Sequence, residues 1–318
     1  MNRSEIPTHT SSQEIPREKY IEQLLERALA EISYRFDTHP EGTENYGHKK
    51  DRVLDFHNSE HTKDIIRRTK TILETIQGVC PELVDTTAIE DGQLAAAFHD
   101  MVQEWREEIV TEELGGLPIF KIIRKKESEK NELKSAIIAL SFLDRIEEET
   151  GTDLFSPTSM GQVQEAIMTT VPSFKYGTVI QKNLTERSSP VARALALADI
   201  GAAGIDGPEI FISTGDALFR EDNLDISRAI VGKEPLSEKQ RRYFSNRMKN
   251  WSIDQIAFAE GRKKLFESEV APLPEKARVA VRAVFSKFDE TILSVKTCAE
   301  KRKTMSFEEL TVDMGYKI

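Results

Sequence analysis

Two segments of the chain set ionisable side chains at the ends of apolar runs. Ala96-Ala97-Phe98 runs straight into His99-Asp100, and Ala194-Leu195-Ala196-Leu197-Ala198 runs into Asp199. Upstream, His57 and His61 stand four residues apart in Phe56-His57-Asn58-Ser59-Glu60-His61-Thr62. A charge sunk in apolar sequence is costly unless it is paired or bound to a metal. Residues i and i+4 of a helix share one face, so the histidine pair suits two ligands, or one ligand and one acid. His61, His99, Asp100 and Asp199 together offer two imidazoles and two carboxylates. That donor set fits Mn, Fe, Co, Ni, Zn or, less well, Mg. An ion so held lowers the pKa of a bound water and polarises a phosphoryl oxygen, which makes hydrolysis of a phosphate ester the natural reaction class. Simpler roles exist: His99 could satisfy the last carbonyls of a helix, and Asp199 could pair with Arg193 or cap a turn at Gly201. Neither role for Asp199 explains why a carboxylate should end so apolar a run.

The elements that must carry these residues are helical. Ile21, Leu24, Leu25, Ala28, Leu29, Ile32 and Phe36 follow one helix face. A Gly/Asn/His-rich loop from Thr38 to Lys50 follows. Helical spacing resumes through Ile65, Ile66, Thr69, Ile72, Leu73 and Ile76 and stops at Gly78 and Pro81. Ala88 to Met101 is apolar nearly all round and reads as a buried helix. Gly115-Gly116 and Pro118 mark a linker; helices are predicted from about Glu129 to Glu149, Val163 to Val171, Pro190 to Ala203, Ser237 to Ser268 and Pro274 to Cys298. Alternating strand patterns are almost absent and no repeat is apparent. The predicted fold is all-α: a mobile tail over residues 1–16, a metal-binding helical domain over 17–215, and a helical extension over 216–318.

Composition excludes several classes. The 318 residues are 39% hydrophobic and 31% charged, enough for a real core. No apolar run approaches the roughly 20 residues of a membrane helix, and Met1 to Glu5 lacks the apolar segment of a secretory signal. Cys80 and Cys298 are the only cysteines, read as reduced thiols of a cytoplasmic protein. The net charge of −10 argues against non-specific nucleic-acid binding.

The order and spacing of the pieces resemble the HD superfamily of metal-dependent phosphohydrolases, over roughly Asp51 to Gly204. Phe56 to Thr62 is similar to the YHNxxH signature of one uncharacterised branch and of cyclic-nucleotide phosphodiesterases. Asn131-Glu132-Leu133-Lys134-Ser135-Ala136 looks like the NExxSA element of that branch, and Ala198-Asp199-Ile200-Gly201-Ala202-Ala203-Gly204 resembles the family's last-aspartate segment. The resemblance implies an HD-type helical bundle in which His61, His99, Asp100 and Asp199 are the metal ligands. It makes His57 the proton donor to the leaving oxygen and sets Glu132 behind the ligands, orienting a water. Asn58 and Lys175 are candidate substrate contacts, with Lys49 and Lys50 as further candidates for phosphate.

Departures matter too. No histidine follows His99, which favours one metal, or a second held by Asp100 and waters, over two fully protein-held ions. His99-Asp100-Met101-Val102-Gln103-Glu104 lacks the HDxxED continuation of guanosine-tetraphosphate hydrolases, and Phe56 and Thr62 replace the usual Tyr and Ala. The expected function is hydrolysis of a nucleotide or another small phosphate ester. A cyclic-nucleotide or cyclic-dinucleotide phosphodiesterase is one alternative. The other is a non-catalytic HD-fold binding protein, with the helices after residue 215 offering a surface for a partner or for self-association.

Overall fold

The computed structural model describes residues 17–37, 53–114, 117–175, 178–233 and 235–316. Helix α1 (Arg17–Ile32), extended by a π-helical turn over Ser33–Asp37, packs against the first two of the three helices that carry the candidate ligands. Those are α2 (Ser59–Val79), α3 (Thr86–Phe98) and, later in the chain, α6 (Pro190–Asp199). Each has a local start signal: Asn58, Asp85 and Ser189 side chains accept the first free backbone N–H groups, and Pro190 stands in the first turn of α6. As the sequence predicts, α3 is buried on all sides, with Leu94, Ala95, Ala96, Ala97 and Phe98 shut off from solvent. It touches α1, α2, α5, α6 and α4 (Lys130–Thr150), with α5 spanning Pro157–Thr169.

Two antiparallel hairpins depart from the all-α expectation within a mostly helical chain. Strands β1 (Trp105–Leu114) and β2 (Leu117–Lys126) pair end to end, from Trp105 opposite Lys126 to Leu114 opposite Leu117. The residues between the paired ends are Gly115 and Gly116, which is a hairpin signal rather than a linker signal. Alternation is hard to see because Glu107, Glu108 and Glu112 interrupt the apolar positions and much of the ribbon is solvated. The short strands β3 (Pro172–Lys175) and β4 (Thr178–Gln181) form the second hairpin, where a helix was predicted to end at Pro172.

After α6 come α7 (Ala202–Ile205), α8 (Pro208–Asp222), α9 (Leu224–Val231), the 33-residue α10 (Glu238–Val270), α11 (Glu275–Val284), α12 (Phe288–Lys303) and α13 (Phe307–Asp313). The division drawn at residue 215 is not a packing boundary. Ala259, Phe266, Val270, Val281, Phe285 and Val295 belong to the same hydrophobic core as the residues of α2, α3 and α6. A smaller cluster joins Phe219 of α8 to Tyr243, Phe244 and Met248 of α10 and to Leu310 and Met314. Two glycines permit this docking directly behind Asp199. A Cβ on Gly201 would stand 3.2 Å from the Phe285 ring, and one on Gly204 would meet the rings of Phe285 and Phe288 at 2.6 and 2.8 Å. The predicted tail over 1–16 lies outside the described residues.

Candidate metal centre

Each ligand candidate sits at the end of its helix. The Asn58 side-chain oxygen accepts from the backbone N–H groups of Glu60 and His61, at 3.1 and 3.0 Å, which sets His61 in the first turn of α2. His99 lies just past the last residue of α3, where its Nδ1 meets the carbonyl of Ala96 at 2.7 Å. A carbonyl only accepts, so Nδ1 carries the hydrogen and Nε2 faces the other ligands. Asp199 is the last residue of α6. Arg68 of α2, itself buried, holds that end of α6 by donating to the Ala198 carbonyl at 3.2 Å and to Asp206 at 2.6 Å.

The four side chains converge. His61 Nε2 lies 3.5 Å from Asp100 Oδ2 and 3.9 Å from Asp199 Oδ1; His99 Nε2 lies 3.2 and 3.6 Å from the same two oxygens. Ligands about 2.1 Å from one ion are separated by about 3 Å at right angles and about 4 Å when opposed, so these spacings match a shared ion. Both Nε2 atoms are buried and make no hydrogen bond, a costly arrangement for two ring nitrogens without a further partner. His61, His99 and Asp199 form a group able to hold a metal ion, the two histidines fully enclosed and the aspartate half-buried.

Two glutamines that the sequence does not mark complete the geometry. Gln103 donates to Asp100 Oδ1 at 2.9 Å, and Gln181 donates from β4 to Asp199 Oδ2 at 3.0 Å. Each carboxylate therefore has one oxygen tied by an amide and the other turned to both histidines, the kind of outer support that orients metal ligands. The Asn-Glu-x-x-Ser-Ala segment acts on the same stretch. Asn131 exchanges two hydrogen bonds with the backbone of Glu104, and the Ser135 hydroxyl accepts from the Val102 N–H, pinning the chain that leaves the His-Asp pair.

His57 belongs to a separate arrangement beside the ligands. Its Nδ1 is 2.6 Å from Glu221 Oε1, and Glu221 Oε2 accepts the backbone N–H groups of Phe56 and His57, both at 3.0 Å. Glu221 is 3% exposed and comes from α8, 164 residues away. Burial would raise its carboxyl, but the His57 ring and the Lys126 ammonium beside it hold it far below the usual glutamate range. An ionised carboxylate only accepts, so Nδ1 donates and Nε2 is left for proton traffic. Lys126, the last residue of β2, brings its ammonium within 3.3 Å of the ring nitrogens and 3.5 Å of Glu221. The ring of Phe56 packs on both histidines, with centroids 4.7 Å from His57 and 4.2 Å from His61.

The electrostatics of the cluster call for positive charge. Burial pushes the His61 imidazole below its ordinary value, outweighing the pull of Asp100. At His99 burial acts the same way, yet Asp100 and then Asp199 lift it well above the usual histidine value. Burial would likewise raise Asp100, but the charges of His99 and His57 keep it well below the usual aspartate range. Carboxylates packed against imidazoles thus draw a proton in, and a divalent cation meets the same need with two charges.

Of the four candidates, His61, Asp100 and Asp199 border a cavity of about 600 Å³ that is also lined by His57, Lys126 and Glu132. Glu132 has two attachments: it closes a reciprocal cap with the backbone N–H of Glu129 at the start of α4, and it faces the cavity. Burial, with the charges of Asp100 and Asp199 nearby, raises its carboxyl above the usual value. Asn58 does not line the cavity, because both ends of its amide serve the backbone: the oxygen caps α2 and the nitrogen donates to the Asp55 carbonyl at 2.9 Å. Lys175 ends β3 in an exposed position off the cavity wall, although its neighbour Phe174 lines it. Lys49 and Lys50 lie outside the described residues. Cys80 and Cys298 are free thiols, and no described helix is long and apolar enough to cross a membrane.

Compared with protein-family models, curated proteins and solved structures, the chain matches none.

Proposed function

We propose that this chain is a metal-dependent phosphohydrolase built on an HD-type helical core, cleaving the phosphate ester of a nucleotide or another small molecule. The observation that carries the reading is the pairing of two bare, buried Nε2 atoms with two amide-oriented carboxylates, each nitrogen within 4 Å of both, beside a histidine oriented by Glu221. His61, His99, Asp100 and Asp199 would hold one divalent ion. Such an ion acidifies a water and polarises a phosphoryl oxygen.

The chain's own groups supply the rest. Lys126 sets a positive charge beside His57, where it offsets charge on the phosphoryl oxygens. A water adds to phosphorus, the ester P–O bond breaks, and the leaving oxygen takes the proton from His57 Nε2. Solvent restores that proton as the attacking water gives one up, so one water is consumed and an alcohol and phosphate are released. Glu221 keeps Nδ1 occupied, so the proton passes at Nε2 and nowhere else on the ring.

The test is metal content by mass spectrometry together with a phosphate-release screen on the same preparation, with Mn, Ni, Fe or Mg supplied. Asp199→Ala is expected to lose bound metal and turnover together. Undiminished hydrolysis by metal-stripped protein, or by the variant, sinks the reading.

A further inference from the structure

The cavity is far larger than a phosphoryl group, and the walls that enlarge it come from the C-terminal half of the chain. At about 600 Å³ it has the size of a small-molecule site. Helices α8 and α10 contribute Phe211, Leu218, Trp251 and Phe258 to its lining. Phe211 and Phe258 lie nearly parallel, 9° apart with centroids 5.9 Å apart, and present flat apolar surface. Thr214 and Gln255 add uncharged polar groups, and the Gln255 amide occupies space left by Gly215, where a Cβ would stand 2.7 Å from its oxygen.

Charge is distributed just as unevenly. The lysine and arginine side chains of the described lining are Lys126 and Arg68. Lys126 stands at His57, and Arg68 is spent on Asp206 and the Ala198 carbonyl. The charged residues that α8 and α10 bring to the lining are Asp222 and Asp254, both acidic. A second phosphate placed among them would meet Asp254 and an Asp222 that already takes up Lys126 at 3.7 Å, with no further cation in the described lining, and desolvating an anion there is strongly unfavourable.

We infer that the α8–α10 wall seats the leaving group of the substrate, an uncharged, flat and largely apolar body that carries a single phosphoryl group. The inference rests on the phosphohydrolase reading only for which part of the cavity takes the phosphate. It selects against sugar phosphates, whose hydroxyl groups would lose water against aromatic rings, and against polyphosphates and dinucleotides.

Trp251 reports directly on this wall, and the chain has one other tryptophan, Trp105. In a Trp105→Phe background, Trp251 emission is titrated with 1-naphthyl phosphate, glucose 6-phosphate, adenosine monophosphate and adenosine triphosphate, in metal-stripped protein so that chelation does not contribute. We expect 1-naphthyl phosphate to bind at least tenfold tighter than glucose 6-phosphate, and the triphosphate to bind no tighter than the monophosphate. Phe258→Ala should weaken 1-naphthyl phosphate at least fivefold and leave glucose 6-phosphate unchanged. Phe258→Leu, which keeps apolar bulk but removes the flat ring, gives the same comparison if the alanine variant does not fold. Equal affinity for the sugar phosphate, tighter binding of the triphosphate, or indifference to Phe258 overturns the inference. Manganese is then added and turnover measured. The expected binding order without hydrolysis overturns the phosphohydrolase reading and leaves the wall assigned. Hydrolysis of glucose 6-phosphate as efficient as that of 1-naphthyl phosphate overturns the wall assignment and leaves the activity standing.

Discussion

Replacing Glu221 with glutamine removes one charge from an enclosed site while keeping its shape. The amide oxygen can still accept the backbone N–H groups of Phe56 and His57, which now bond Oε2. The amide nitrogen must then face His57 Nδ1, at the position where a carboxylate oxygen stands 2.6 Å away. Two donors meet, so the imidazole must move its hydrogen to Nε2 or swing out of place. Lys126, 3.5 Å from the same carboxylate, loses a counter-charge as well. A hydrogen bond to a charged group is worth about 1.5–3 kcal/mol, and breaking a fully buried ion pair costs about 3–5 kcal/mol. Because Lys126 keeps some access to water, with 24% of its side chain exposed, we expect about 2–3 kcal/mol of lost stability at pH 7.

The pH dependence gives a second, independent measure. The folded-state pKa of Glu221 is depressed, so its contribution is fully present above the unfolded glutamate value of about 4.3. It is lost as pH falls below that value toward the folded one. Urea unfolding of wild type and Glu221→Gln at pH 7 and at pH 4 should therefore show a gap that is widest at neutral pH and narrows in acid. Turnover of the proposed substrate should fall by about 10²–10⁴, the usual worth of a positioned proton donor. Equal stability at pH 7, with parallel loss on acidification, refutes the argument that Glu221 is ionised and holds His57.

Three further outcomes follow from the geometry. Gln181→Leu, which frees Asp199 Oδ2, should weaken metal binding about 10–100-fold in a chelator competition; unchanged affinity would mean the amide does not orient the ligand. Metal binding should tighten as pH rises, because His99 binds its proton well above the usual value and must give it up. Calorimetry in buffers of different ionisation enthalpy should detect that proton, and its absence would contradict the picture of a proton-filled cluster. Gly204→Ala should lower stability by about 1–3 kcal/mol through overpacking, since the new methyl meets the buried Phe285 and Phe288 rings; the helix propensity gained by losing glycine, about 0.5–1 kcal/mol, offsets only part of this. A thermal melt with no downward shift would show that the aromatic rings can retreat.

Much of the helical frame was legible because helix signals are local. Asn58, Asp85, Ser156 and Ser189 cap helices whose apolar faces repeat every three to four residues, and caps and periodicity act within a turn or two. The apolar runs before His99-Asp100 and Asp199 were informative for the same reason: each run predicts burial, and a buried ionisable group needs a partner. The predicted helix from Pro190 to Ala203 breaks into α6 and α7; Gly201 marks the break, a glycine whose Cβ would collide with the preceding turn. The longer hairpin went unread because its strands carry glutamates and lysines in place of a clean period of two, and the shorter one because four-residue strands are too short to show a period.

His99, Asp100 and Asp199 stand out in the sequence as charge at the ends of apolar runs, and His61 by its four-residue spacing from His57. Glu221, Lys126, Gln103, Gln181 and the aromatic wall of α8 and α10 do not. Glu221 and Lys126 are ordinary charged residues near the ends of a helix and a strand, and nothing beside them in the chain separates them from solvated ones. Only folding brings α8 and β2 against the start of α2, where burial turns an unremarkable carboxylate into the group that orients His57.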